Sequence, residues 1–130
     1  MEIKYRIWME ENGKVLFGKG RSQILKAVQE KKSLNAAVKE LKMSYRAAWG
    51  RLRASEERMG LKLLDHGPRE KSAHLTPQAK AIIARWDKLK MEIEELLREA
   101  DKDLQVFFVP SEDRPAGNSL ASGQELEGDE

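Results

Sequence analysis

The sequence predicts a mainly α fold with small β-hairpins: a winged helix-turn-helix that carries a long C-terminal dimerisation helix. Three observations point to it. Two amphipathic segments are separated by Lys42-Met43 alone, a spacing that forces two short helices to cross steeply. A short apolar–turn–apolar pattern follows directly, around the Gly67-Pro68 dipeptide. Beyond it, apolar residues recur at alternating steps of four and three along one extended segment, a period of 3.5 rather than 3.6.

Taken in chain order, Ile3, Tyr5, Ile7 and Met9 alternate with polar residues, the period of a half-buried strand. Asn12-Gly13 tolerates the positive φ angles of a tight hairpin turn, and Val15-Leu16-Phe17 is the expected returning strand. Ser22 is a candidate cap for a first helix whose Ile24, Leu25 and Val28 share a face. Ser33 caps a second, with Leu34, Ala37, Val38 and Leu41 at helical spacing. Ser44 opens a third that runs to about Met59, its apolar stripe made by Tyr45, Ala48, Trp49, Leu52 and Met59. Leu63-Leu64 and Ala73-His74-Leu75 then pair as short strands around a polar tip at 65–72. Thr76-Pro77 starts the long helix, proline being acceptable in a first turn. This divides the chain into a winged helix-turn-helix with an N-terminal hairpin (1–75), a dimerisation helix (76–105) and an acidic tail without regular structure (106–130).

The 130 residues suffice for one ordinary domain, and 40% apolar against 35% charged residues allow a single core under a solvated surface. With few aromatics, that core is expected to rest on Leu, Ile, Val, Ala and Met. The absence of cysteine excludes disulfides, thiol catalysis and cysteine-ligated metal. No signal-peptide stretch opens the chain, and its longest apolar run, Val106-Phe107-Phe108-Val109, is too short to span a bilayer; a cytoplasmic protein without membrane association is the expectation. The net charge of +2 hides an asymmetry. Residues 110–130 hold six acids and one base, which leaves 24 − 1 = 23 bases against 22 − 6 = 16 acids in residues 1–109. A basic body suits a polyanion, and double-stranded DNA is the expected partner.

On that reading the helix opening at Ser44 enters the major groove. Ser44, Tyr45 and Arg46 face the DNA from its first turn, and Arg46 is the expected base contact because a guanidinium bonds both acceptors of a guanine edge. Ala47 and Gly50 are small enough to let the helix axis approach. Arg51 and Arg53 are expected on backbone phosphates, Arg69 and Lys71 at the wing tip on the adjacent minor groove or its phosphates, and Ser33 on DNA from the start of the preceding helix. The 3.5-residue stripe of Ala79, Ile82, Trp86, Leu89, Ile93, Leu96 and Ala100 is the expected homodimer interface, the alternative being a helix that packs back along its own domain. Nothing supports an enzyme: no phosphate-cradling glycine loop or nucleophile elbow occurs, and no catalytic residue is assigned. His66 and His74 lack a third ligand, so neither a metal nor a cofactor is expected.

Phe17-Gly18-Lys19-Gly20-Arg21, Ala36-Ala37, the run from Met43 to Trp49 and Leu75-Thr76-Pro77 resemble the N-terminal DNA-binding domain of the ModE molybdate-responsive regulators. The resemblance covers roughly residues 3–100. It implies a LysR-like winged helix-turn-helix that binds a palindromic operator as a dimer, with Ser44, Tyr45, Arg46 and the 65–73 wing on DNA. Lys32 and Lys42 stand where family members often carry glycine, and the family's glycine run is missing from the wing. The family's molybdate-binding domains have no counterpart here, so the chain resembles the stand-alone domain and no molybdate site is visible. The function expected is a sequence-specific transcriptional regulator; the alternative is a winged-helix interaction adaptor that does not read DNA.

Overall fold

The computed structural model describes residues 2–65 and 72–115. Its elements are β1 (Trp8–Glu11), β2 (Lys14–Gly18), α1 (Lys19–Lys31), α2 (Leu34–Leu41), α3 (Tyr45–Met59), β3 (Leu64–Asp65), β4 (His74–Leu75) and α4 (Pro77–Gln105). The two strand pairs, β1 with β2 and β3 with β4, are both antiparallel. Three helices between two small hairpins, followed by one long helix, make the winged helix-turn-helix expected from the sequence.

Asn12 and Gly13 take φ values of 53° and 79°, which closes a two-residue turn between Glu11 and Lys14. The first strand is shorter than its alternation implied. Residues 3–7 keep the half-buried/exposed rhythm but have no ladder partner, and Trp8 and Met9 are exposed. A break in register pairs Met9 with Phe17 and Glu10 with Val15, so Leu16 is the extra residue of a bulge. Phe17 is thereby turned fully into the core. Gly18 pairs with Trp8, and a Cβ there would lie 3.1 Å from the Trp8 Cβ, close enough that Trp8 would have to give by a few tenths of an ångström.

The first helix corrects one expectation. Ser22 is not its cap: the chain passes from β2 straight into the helix at Lys19, and Ser22 is buried a turn inside. The caps expected at Ser33 and Ser44 form, and Thr76 caps α4 in the same way. Ser33, Ser44 and Thr76 accept from the amides of Ala36, Ala47 and Ala79 at 3.1, 3.0 and 3.1 Å. Thr76 also donates to the Lys62 carbonyl (2.7 Å), which ties the start of α4 to the strand before it.

Lys32 and Lys42 are both left-handed, at φ 59° and φ 57°. Lys42 donates to the Lys39 carbonyl (3.2 Å) and Met43 to that of Val38 (3.1 Å), the paired bonds that end a helix within two residues. The Lys32 carbonyl accepts from the Ala73 amide at 3.0 Å, so this helix end also anchors the second hairpin.

One core joins β2, the four helices and the second hairpin. Phe17, Ile24, Leu25, Val28, Leu34, Ala37, Val38, Ala48, Leu52, Leu63, Leu75, Ala79, Ile83 and Trp86 are buried together. It is not wholly aliphatic: Phe17 meets Trp86 edge to face, centroids 5.3 Å apart. The 29 residues of α4 extend about 44 Å at about 1.5 Å per residue, and only the first third is buried against the domain. After it the chain turns at Phe107 and Phe108, and Ser111–Asp113 form one 3-10 turn within the segment expected to lack structure.

Candidate nucleic-acid interface

The segment 31–54 holds seven bases (Lys31, Lys32, Lys39, Lys42, Arg46, Arg51, Arg53) and one acid, Glu40. It comprises α2, the turn and the first two-thirds of α3, so the helix-turn-helix is the strongly cationic part of the fold. The opposite bias sits on the far end of α4, where residues 92–103 hold six acids and two bases. The molecule is therefore polarised along its length.

Burial explains which face of α3 is available. Ala48, Leu52, Ser55 and Glu56 point inward, at the helical spacing that puts Arg46, Gly50 and Ala54 on the opposite side. Ser44, Tyr45, Arg46, Gly50 and Arg51 are exposed, and Ala47 is half-buried. Arg46 makes no hydrogen bond or ion pair among the described residues. A Cβ at Gly50 would meet nothing within 4 Å, so the surface there is open and low. Tyr45 lies on Trp49, rings nearly parallel and centroids 6.5 Å apart, so it extends the packed stripe outward while its edge stays exposed.

The expected contact residues do not all stand alike. Ser33 and Ser44 have their hydroxyl oxygens engaged as caps, which leaves their exposed surfaces near the amide-rich ends of α2 and α3. Arg53 differs from Arg46: it pairs with Glu56 (3.4 Å) and Glu57 (3.9 Å) and lies 5.9 Å from the Trp49 ring centroid. Its charge is largely answered within its own helix, which weakens it as a phosphate contact. Arg69 and Lys71, with His66, lie outside the described residues.

Two side chains that hold this arrangement had no local signal in the sequence. Glu56 is buried, and its carboxylate accepts from the amides of Leu63 (2.8 Å) and Leu64 (3.3 Å), fixing the wing strand against the end of α3. Arg21 donates through Nε to Ser55 Oγ at 2.6 Å, locking α1 to α3. Desolvation lowers the Arg21 pKa, and the nearby Arg58 and Arg51 lower it further. Partners 34 residues apart leave no periodic trace, so only the fold brings them together.

Along α4, Ala79 and Trp86 pack into the chain's own core, with Trp86 keeping a small exposed edge. Ile82, Leu89, Ile93 and Ala100 are half-buried along one flank, and Leu96 is 68% exposed. Among the described residues no three His, Cys, Asp or Glu side chains cluster as a metal site, and no helix is long and apolar enough to cross a membrane.

Comparison with known proteins agrees with this geometry. No curated protein matches the chain. Among solved structures, the BenM_DBD/benA site 1 DNA complex matches with a TM-score of 0.52 at 19% identity, over 64% of this chain and 94% of that one. The BenM_DBD/catB site 1 DNA complex matches at 0.50 and 20% identity, over 64% and 90%. Identities this low speak for a shared fold. Residues 21–80, which span the three helices, the second hairpin and the start of α4, match the family described as bacterial regulatory helix-turn-helix protein, lysR family.

Proposed function

We propose that this chain is a DNA-binding transcriptional regulator that inserts the first turn of α3 into the major groove and acts as a homodimer on a dyad-symmetric operator. The observation that carries this reading is the outer face of α3: Arg46, without a partner among the described residues, beside the small Ala47 and Gly50, in a segment with seven bases and one acid. Such a face lets a helix axis come close to the groove floor while a guanidinium reaches a guanine edge. Two structures that share the fold are DNA complexes, which supports the same partner here. Arg51 and the exposed lysines 32, 39 and 42 supply the sequence-independent phosphate contacts, so affinity falls steeply with salt. Arg69 and Lys71 are assigned to the adjacent minor groove or its phosphates.

The dimer face assigned is the flank of α4 formed by Ile82, Leu89, Ile93, Leu96 and Ala100. Ile82, Leu89 and Leu96 stand seven residues apart, as do Ile93 and Ala100, the repeat of a two-helix seam. Two α3 helices related by a dyad then meet half-sites about one helical turn, roughly 34–36 Å, apart.

The decisive experiment selects bound duplexes from a random pool, then compares wild type and Arg46→Ala on the selected site and on a scrambled duplex. The substitution is expected to cost about 1–3 kcal/mol on the selected site and much less on the scrambled one. Equal loss on both removes the base-reading role. One observation favours a second reading, an interaction adaptor: Val106 and Phe107 stand about four-fifths exposed beside the acidic end of α4. Deleting residues 110–130 separates the two, because tighter DNA binding marks a tail that competes for the basic face and loss of a protein partner marks an adaptor.

A further inference from the structure

A cleft of about 460 Å³ lies between the N-terminal segment, the start of α1 and the middle of α4. None of its lining residues belongs to α2 or α3, so it is separate from the DNA-facing surface. Its volume falls within the range of small-molecule sites, which are apolar surfaces with a few converging polar groups.

Its walls differ in chemistry. Tyr5, Trp8 and Trp86 contribute aromatic surface. Arg6, Lys19, Arg21 and Lys90 contribute positive charge; Arg6 lies over the Trp8 ring, 5.8 Å from its centroid, and Lys19, Arg21 and Lys90 have no carboxylate partner among the described residues. The lone lining carboxylate, Glu94, is already engaged by the Tyr5 hydroxyl at 2.9 Å. Lys19 and Arg21 belong to the first turn of α1, a 13-residue helix that begins at Gly18 with neither a side-chain cap nor an acid in that turn.

Arg21 is a partly buried cation of this wall. Its hydrogen-bond partner is the neutral Ser55 hydroxyl. The groups that shift its titration are burial itself and two further arginines, Arg58 and Arg51, each disfavouring its charge. A desolvated cation facing other cations is relieved by a bound anion.

We propose that this cleft is a ligand site for a small aromatic monoanion such as an aryl carboxylate, its ring on Trp8 and Trp86 and its carboxylate at the first turn of α1 between Lys19 and Arg21. A charge-assisted bond to a guanidinium or ammonium is about twice as strong as a neutral one, so the charge dominates recognition.

The test titrates 1-naphthoate into the 15N-labelled full chain without DNA, with 1-naphthamide as the neutral counterpart. Saturable shifts are expected at the amides of Lys19, Gly20 and Arg21 and at the Trp8 and Trp86 indoles, with the amide at least about tenfold weaker. Arg21→Gln is expected to weaken binding about tenfold. Because Arg21 also holds Ser55, the exposed Lys19→Gln serves as the second variant and weakens binding several-fold with the spectrum otherwise intact. The proposal is overturned by absence of saturation in the millimolar range, by equal binding of naphthoate and naphthamide, by unchanged affinity in both variants, or by shifts centred on residues 106–109.

Discussion

Replacing Lys42 with glycine is expected to stabilise this protein, although it deletes a side chain and adds flexibility. Lys42 sits at φ 57°, ψ 45°, where an L side chain crowds its own backbone at a cost of about 1–2 kcal/mol. Glycine removes that cost but makes the unfolded chain more mobile, which returns about 0.4–1 kcal/mol. The lysine is exposed, so no packing is lost, and both bonds that end α2 run through backbone atoms that glycine keeps. The net expectation is a gain of about 0.5–1 kcal/mol. Urea unfolding measures it as a higher midpoint at unchanged slope. Lys42→Ala is the control, because alanine retains the Cβ while losing the charge; it should change stability little. If Lys42→Gly proved less stable than Lys42→Ala, left-handed strain would not be what limits this turn. Lys32→Gly, at φ 59°, should behave in the same way.

Other consequences are open to direct measurement. Glu56→Ala should cost about 2–4 kcal/mol in urea unfolding, since it leaves the buried Leu63 and Leu64 amides without their acceptor, and Glu56→Gln should recover part of it. A loss under about 1 kcal/mol would mean that water replaces the carboxylate there. Leu96→Glu, on an exposed position, should leave the unfolding midpoint of the monomer in place while lowering self-association in sedimentation equilibrium; an unchanged mass would exclude this flank as the dimer face. The Tyr5 phenol should ionise above its ordinary value of 10.0, through desolvation, its hydrogen bond to Glu94 and that carboxylate's charge. Its stabilising contribution is therefore complete below about pH 10 and lost as pH rises through the raised value, a dependence that Tyr5→Phe should abolish. A phenolate absorbance titration with an ordinary midpoint would show that the N-terminal segment is undocked.

Much of the fold was legible because its signals are local. Ser33 and Ser44 announced their helices since a cap bonds an amide three residues away, and Thr76-Pro77 announced α4 through a proline that suits a first turn. Asn12-Gly13 announced the first turn through conformations that few other residues adopt. Ser22 misled because a capping side chain can equally be buried inside a helix, and the true start at Gly18 has no side chain to betray it. Of the candidate interface, the exposed face of α3 followed from periodicity, whereas the pairing of Arg53 with Glu56 and Glu57 required knowing which rotamers the fold allows.

By itself, then, the sequence determined the order and type of the helices, the turn between α2 and α3, the cationic bias around Arg46 and the 3.5-residue stripe of α4. Each depends on spacing within a few residues or on charge, which does not need neighbours. Tertiary structure alone decided that Ala79 and Trp86 serve the chain's own core, that Glu56 holds the wing strand, and that Arg21 faces Arg51 and Arg58 beside an aromatic cleft. Those relations join residues tens of positions apart, and burial is a property of what packs above a side chain, which no local pattern records.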